Sequence, residues 1–447
     1  MRKKLLLIQP TIKQYRGKSD LSHPNEPLAL EIIAGLTPKD WEIQIIDEHI
    51  EAIRLEDPEE ADLVGLTAYT STAPRAYEIA EVYKRRGIPV VMGGIHASML
   101  TQEALNFAHT VVTGEVEGIW GEIIADFEAK EMQRVYNGGY PDLKKLPTPR
   151  RDLLPSHYRY SAGTIQTGRG CPHNCEFCSV TLFNGFRYRK TPIDEILDAL
   201  ETIPQKIVLF LDDNLIGYGK RDMEYAIKLF QGINERGIDK IFSVQSSFKF
   251  AQEKVLKSAS ESGCRLVNIG IEAEDTAALK EMNKRLNLKL VNNANYEDLF
   301  ALIHQYGIAI DGNFIYGLDA DTPEKIRKRT DFIMDSDLDM MRISPLTPLP
   351  GTRLFKKLKQ EGRLLYTNFP EDWEHYDLQK VAFKPALMKP DELTDLVRES
   401  KALIYSEESI ERRFQKTLTV TDDVTAYMVK AFNLGYRHVS RVLGYMD

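Results

Sequence analysis

Cysteine is scarce in this chain: four in 447 residues, three of them between positions 171 and 178. So few, so clustered, they cannot form a disulfide framework; grouped thiols in a reducing compartment point to metal. Long apolar runs are also missing. No stretch approaches the ~18 residues that cross a bilayer. Leu5-Leu-Leu-Ile8, behind Met1-Arg-Lys-Lys, stops at Gln9-Pro10, too short for the apolar region of a signal peptide. Basic excess is absent too, since the net charge is -8 and no basic tail occurs, which gives no electrostatic reason to expect a nucleic-acid partner. Neither an internal repeat nor a low-complexity segment is found. These absences leave a cytoplasmic protein without a membrane span, suited to a small-molecule or lipid-like substrate.

What is present is a globular composition, 43% hydrophobic and 28% charged. A chain of this length exceeds one ordinary core and divides into about two or three domains. Up to residue 135 short β-rich runs alternate with amphipathic helical stretches, the pattern of a Rossmann-like doubly wound parallel sheet. Strands are expected at Lys4 to Ile8, Glu42 to Ile46, Asp62 to Thr67, Pro89 to Met92 and Thr110 to Thr113. Helices are expected at Leu28 to Leu36, Ala73 to Arg86 and Gly118 to Ala129. Residues 136–160, punctuated by Tyr-Pro, Leu-Pro, Thr-Pro and Leu-Leu-Pro, read as a linker. From 161 to 362 six further strand-then-helix units, with strands at Gly163 to Thr167, Lys206 to Leu211, Ile241 to Gln245, Leu266 to Ile271, Ile308 to Phe314 and Met340 to Pro345, predict a partial (β/α)6 barrel. Chemistry in such barrels sits on the loops after the strands. Residues 363–447 read as a small, mostly helical region, with helices at Pro390 to Ser406 and Val424 to Val442.

Directly after the first barrel strand stands Gly168-Arg-Gly-Cys171-Pro-His-Asn-Cys175-Glu-Phe-Cys178, a C-x3-C-x2-C arrangement. Three thiolates on one loop can hold three irons of a cubane. The fourth iron is then open to a substrate or cofactor. A zinc site would have to recruit His173 or Cys264, and the second spaced ligand pair usual in structural zinc is missing. Cys264 itself reads as a small buried hydrophobe.

This spacing resembles that of the radical S-adenosylmethionine enzymes. The resemblance implies a [4Fe-4S] cluster on Cys171, Cys175 and Cys178, with S-adenosylmethionine chelated at the open iron and cleaved to a 5′-deoxyadenosyl radical. It further implies Phe177 beside the adenine. Later strand ends match the family in order: Asp212 and Asp213 where the amino group is bound, Gln245 and Glu272 near the sulfonium and ribose, Asn313 on the adenine side. For the two aspartates helix capping is the alternative. An external electron donor such as flavodoxin or ferredoxin is implied as well.

A Rossmann-like domain ahead of such a barrel is similar to the cobalamin-binding subfamily. Three loops carry that likeness, holding Thr67, Tyr69, Thr70 and Ser71; Gly93, Gly94, Ile95 and His96; and Gly114, Glu115 and Glu117. Glycines there allow close approach to a flat ligand, and in the subfamily these loops surround the nucleotide tail and one face of the corrin. Asp47-Glu-His49-Ile-Glu-Ala52 nearly spells a cobalt-ligating motif but ends in Ala and follows the second strand, so it reads as ordinary surface residues. Arg412-Arg-Phe-Gln-Lys416 reads as a solvated helix face. No Gly-x-Gly-x-x-Gly follows the first strand, which disfavours a dinucleotide.

The expected function is therefore a cobalamin-dependent radical methyltransferase acting on an unactivated carbon. A cyclase or oxidase with the same cofactors and no methyl transfer is the alternative, and a non-catalytic metal- or cobalamin-binding regulator the remote one. Catalytic acid-base residues are not identified. Asp372-Trp-Glu-His-Tyr-Asp377 is expected to cap the barrel with aromatic side chains.

Overall fold

The computed structural model describes residues 2–18, 25–154, 160, 162–217, 219–293 and 295–446. Its first strand, β1 (Lys4–Gln9), is apolar on both faces because both are covered. Leu6 and Ile8 pack with Ala76, Ile79 and Tyr83 on one side, while Leu5 and Leu7 pack with Leu30, Trp41 and Trp120 on the other. Burial on both faces is the condition of a parallel sheet. β2 (Glu42–Asp47), β3 (Leu63–Thr67), β4 (Val90–Gly93), β5 (Thr110–Gly114) and β6 (Val135–Gly139) complete it, in the order β2-β1-β3-β4-β5-β6, every pair parallel. Helices Leu28–Leu36 and Trp120–Ala129 cover the face of Leu5, and Ala73–Arg85 the face of Leu6. The Rossmann-like expectation is met. Reversal of strand order beside β1 directs ligands to the carboxyl ends of these strands.

β6 was not expected, and it carries the sheet into the stretch read as linker. Its glycines make the pairing possible: a Cβ on Gly138 would lie 1.7 Å from the Glu115 carbonyl oxygen. Beyond it only a short 3-10 turn, Arg151–Leu153, interrupts the described part of the proline-punctuated stretch. The Leu-Leu-Pro call reaches Pro155, and 155–159 lie outside the described residues.

The second sheet is built from β7 (Gly163–Ile165), β10 (Ile207–Phe210), β11 (Ile241–Ser246), β12 (Cys264–Glu272), β13 (Ala309–Tyr316) and β14 (Met340–Pro345), all parallel, in the order β14-β13-β12-β11-β10-β7. Among the described residues β7 and β14 do not pair, so the barrel is partial, a crescent of six strands. Two short antiparallel strands, β8 (Gly168–Arg169) and β9 (Arg189–Lys190), stand apart and close the base of the cysteine loop. Leu197, Phe230, Leu256, Phe300 and Ile333 from the outer helices form one core with the sheet.

On the concave side Leu266, Ala309 and Met340 meet Val429 of the last helix, Asp423–Val442. That helix and Pro390–Ile404 were expected; Glu407–Val420 lies between them. The solvated face expected at 412–416 holds only in part. Arg413 and Phe414 are buried, Arg413 donating to the Ile404 carbonyl at 2.8 Å.

Candidate active site at the facing sheet edges

The cysteine loop leaves β8 through Gly170, whose φ of +94° and whose place 2.3 Å (as Cβ) from the Arg187 carbonyl oxygen require glycine. The loop is clamped from several sides. Cys171 N–H donates to Gly185 at 3.1 Å, Glu176 N–H to Met282 at 3.2 Å, and Leu354 N–H to Glu176 at 3.2 Å. Arg353 adds a 2.7 Å bond to the Glu176 carboxylate and a 2.8 Å bond to the Asn174 carbonyl.

All three thiols are partly buried, and burial pushes each one up, Cys178 to about 12. Charge on Cys175 raises Cys171, and charge on Cys175 and Cys171 raises Cys178, so the three sulfurs share one space. Three neighbouring free thiols on one loop are a donor set that fits three irons of a cubane. Cys264 cannot join them: it opens β12, at the amino end of the sheet, fully buried against the Leu266 carbonyl as the sequence suggested.

Of the expected S-adenosylmethionine residues, Asp212, Asp213, Gln245 and Glu272 stand at the carboxyl ends of barrel strands, while Asn313 is mid-strand in β13 and Phe177 is on the cysteine loop. Glu272 ends β12 with φ +68°, a left-handed conformation that costs free energy for a non-glycine residue and concentrates at functional sites. Lys284 donates to its carboxylate at 2.5 Å. Burial works against the charge on Lys284, but Glu272 and then Cys175 outweigh it and hold the ammonium. No local spacing signals Lys284, which is brought to the thiols only by the fold. Asp213 follows β10, accepts from Asn184 at 2.8 Å, and is raised by burial to about 6. Gln245 reaches over to the Asp213 carbonyl at 3.1 Å. Phe177 packs partly buried on the barrel core. Asn313 lies on the concave face, bonded at 2.7 Å to Asn268. Asp212 is buried and accepts from both the Thr167 N–H at 2.9 Å and hydroxyl at 2.8 Å, which ties β10 to the end of β7.

The three expected loops of the first sheet also converge, bonded to each other. Ala68 N–H donates to Gly93, His96 N–H to Ala68 and Gly114 N–H to the Ser98 hydroxyl, each at 3.1 Å. Gly94, at φ +92°, brings its backbone so close to Ala68 that a Cβ would stand 2.8 Å from the Ala68 nitrogen. Thr67 ends β3, Thr70 is buried, Ser71 is half-buried, and Gly93 and Ile95 flank Gly94. Tyr69 projects from this edge with 63% of its surface exposed.

Others of the expected set are engaged elsewhere. His96 is fully buried, 3.1 Å from the Tyr77 hydroxyl, with Trp373 edge-on at 5.3 Å. Glu115 and Glu117 bond Arg169 at 2.7 and 2.5 Å, beside the cysteines. The Asp47–His49 segment is not surface as expected. Asp47 is buried, accepting from His49 at 2.8 Å and Tyr160 at 3.3 Å, and Glu48 pairs with Arg75 at 2.7 Å.

Comparison with known proteins agrees with this layout. The B12 binding domain family matches residues 20–124, and the Radical SAM superfamily matches residues 165–333. The chain is 30% identical over 432 residues to the bacteriochlorophyllide d C-12(1)-methyltransferase of Chlorobaculum tepidum, covering 93% of this chain and 90% of that one. It is 28% identical to the C-8(2)-methyltransferase of the same organism, covering 81% and 82%. Its fold is shared, at TM-score 0.70 and 17% identity over 92% of this chain and 90% of the other, with the radical S-adenosylmethionine methyltransferase TsrM of Kitasatospora setae, solved with cobalamin and a [4Fe-4S] cluster. With both domain families in this order and a relative matched almost end to end, the chain belongs to the cobalamin-binding radical S-adenosylmethionine methyltransferases.

Proposed function

We propose that this enzyme moves a methyl group from S-adenosylmethionine to an unactivated carbon of a flat, apolar small molecule. The observation that carries the proposal is that the loop after β5 lies directly against the base of the cysteine loop, Glu115 and Glu117 bonding Arg169 at 2.7 and 2.5 Å two residues before Cys171. When bound, the cluster supplies the electron that breaks the sulfonium bond, and cobalamin carries the methyl group. The chain's own residues hold and orient. Cys171, Cys175 and Cys178 grip the irons; Lys284 offsets their negative charge. Glu272, Asp213, Gln245, Asn313 and Phe177 line the place for S-adenosylmethionine, with Asp212 fixing the strand end beside them. The loops of Thr67 to Ser71, Gly93 to Ile95 and Gly114 would form the edge on which cobalamin rests, while Glu115 and Glu117 turn to the barrel.

Support for a flat substrate comes from apolar surface around Asn184. Asp213 bonds Asn184, next to which Gly185 lies against the ring of Tyr140. Tyr140 (54%) and, on either side of Asn184 in the chain, Leu182 (41%) and Phe186 (53%) are all exposed. Aromatic surface of this kind suits a macrocycle, the compound class named for the two Chlorobaculum relatives. The segment 372–377, expected as an aromatic cap, spends its rings on packing instead: Trp373 and Tyr376 are 1% exposed.

The reading also needs an outside electron donor in a reducing cytoplasm. We assign its docking to the outer side of the cysteine loop, where Asn283 and Arg353 bond Asn174 and exposed Lys280, Arg285 and Lys356 lie close by in sequence on an otherwise acidic protein. The nearby carboxylates are taken: Glu176 by Arg353, Asp319 by Lys357 and Arg363.

Anaerobic reconstitution of wild type and Cys175→Ala tests the scheme. Wild type should carry iron and sulfide and release 5′-deoxyadenosine, and the variant should lose at least about 10³-fold of that release. With methyl-labelled S-adenosylmethionine and a bacteriochlorophyllide acceptor the label should appear in product; an unlabelled, ring-closed product would turn the assignment to a cyclase.

A further inference from the structure

Glu115 follows β5 directly and is 4% exposed, yet its carboxylate is used entirely by the barrel. One oxygen accepts from Arg169 at 2.7 Å and from Arg189 at 2.8 Å, and the other is paired with Arg189. Glu117 takes the second arm of Arg169 at 2.5 Å. Arg189 in turn reaches the carbonyls of Pro141 at 2.9 Å and Asn184 at 3.1 Å. Two cations and two anions thus close a balanced buried net across the junction of the two domains.

Where these arginines stand is the telling point. Arg169 and Arg189 are direct partners in the β8–β9 pair, the two strands from which the cysteine loop springs. Cys171 is two residues beyond Arg169. A single carboxylate on the first sheet therefore grips both ends of the loop that holds the thiols. Its backbone is fixed as well, by the Gly138 approach at 1.7 Å for an added Cβ and by a 3.3 Å bond from Glu115 N–H to the Gly139 carbonyl. Buried ion pairs contribute little net stability because desolvation offsets their attraction. Their geometry, however, is specific, since planar guanidinium forks admit few arrangements.

We infer that Glu115 is a positioning residue that sets the separation between the cysteine loop and the cobalamin-side sheet edge. The inference rests on the function proposed above. Transfer of a group between two bound partners tolerates little misplacement, an error of about 1 Å costing on the order of 10² in rate. Deoxyadenosine formation needs only the barrel side of this joint, whereas methyl transfer needs both sides in register. Breaking the joint should separate the two.

The test uses Glu115→Gln, with Arg189→Gln as a milder second variant that keeps the Arg169 pairs. Hydrogen exchange of the full chain as purified should show faster exchange across 166–190 in both variants and unchanged exchange in the outer barrel helices. With S-adenosylmethionine, titanium(III) citrate and hydroxocobalamin, 5′-deoxyadenosine release should stay within about twofold of wild type. S-adenosylhomocysteine release, which reports methyl departure, should fall roughly 50-fold or more in Glu115→Gln. The double variant should be no worse than Glu115→Gln alone, as for groups acting through one net. Unchanged exchange at 166–190, or a proportional loss of both products, overturns the inference by assigning Glu115 to folding alone. Wild type that releases no deoxyadenosine would instead remove the proposed function, and the exchange result would still stand or fall by itself.

Discussion

Glu31 lies wholly buried in the helix Leu28–Leu36 with neither carboxylate oxygen bonded, 3.8 Å from Arg151, whose own bonds go to Glu26 at 3.2 Å and the Thr164 carbonyl at 2.6 Å. Burial pushes its pKa from 4.5 up to about 8, against the pull of Arg151. The folded protein therefore holds a proton here that the unfolded chain gives up. The associated stability is complete below about pH 4.5 and is lost as pH climbs toward about 8. Glu31→Gln needs no proton, so its advantage over wild type should be small near pH 5, grow to a few kcal/mol by about pH 8 and then level off. Thermal unfolding at a series of pH values measures this, and a gap independent of pH would refute it. At this scale the sequence was legible only where spacing along the chain carries the chemistry. Cys171, Cys175 and Cys178 announce themselves within eight positions, while Glu115 meets Arg169 and Arg189 from 54 and 74 residues away. Charge partners that distant leave no local trace, so Glu115 and Glu117 were read from the chain only as part of a ligand loop.

Elements were read well where burial is two-sided or strictly periodic. The expected strands of both sheets appear because Val-, Ile- and Leu-rich runs flanked by turns have few other uses. β6 escaped because Asn-Gly-Gly resembles a turn, and strand pairing there is enabled by the absent side chains themselves. The helix Glu407–Val420 escaped in part because its buried residues include Arg413 and Thr417, polar groups bonded to the Ile404 carbonyl and to Asp339 of the barrel. Packing of the last helix offers the test at this scale. Val429 meets Leu266, Ala309 and Met340 on the floor of the crescent. Val429→Asp places an unpaired carboxylate there and should cost about 3–5 kcal/mol. Val424→Asp, on the same helix but 57% exposed, should stay within about 0.5 kcal/mol. Urea unfolding of the two variants compares them directly; equal losses would mean that this helix is held by its ends and not by Val429.

Across the whole molecule, charge is distributed against its average. The chain carries -8 overall, yet exposed Lys280, Arg285 and Lys356 stand on the two segments whose Met282, Asn283 and Arg353 bond the cysteine loop. Reversing all three to Glu should raise the KM for an acidic carrier such as reduced flavodoxin about tenfold and flatten its dependence on salt. Turnover driven by titanium(III) citrate should be unaffected. Equal KM values for the reversed and wild-type enzymes would place electron entry on another face.

Among the described residues β7 and β14 do not pair with each other, which gives the barrel a property that a closed cylinder lacks. A cylinder has one circumference, fixed by strand number and stagger, and everything it encloses must fit that bore. A crescent has an open side, so the width available to an acceptor need not follow from strand number and stagger. Selectivity for bulkier or slimmer acceptors can then evolve at that side alone, leaving the cysteine loop and its arginines untouched.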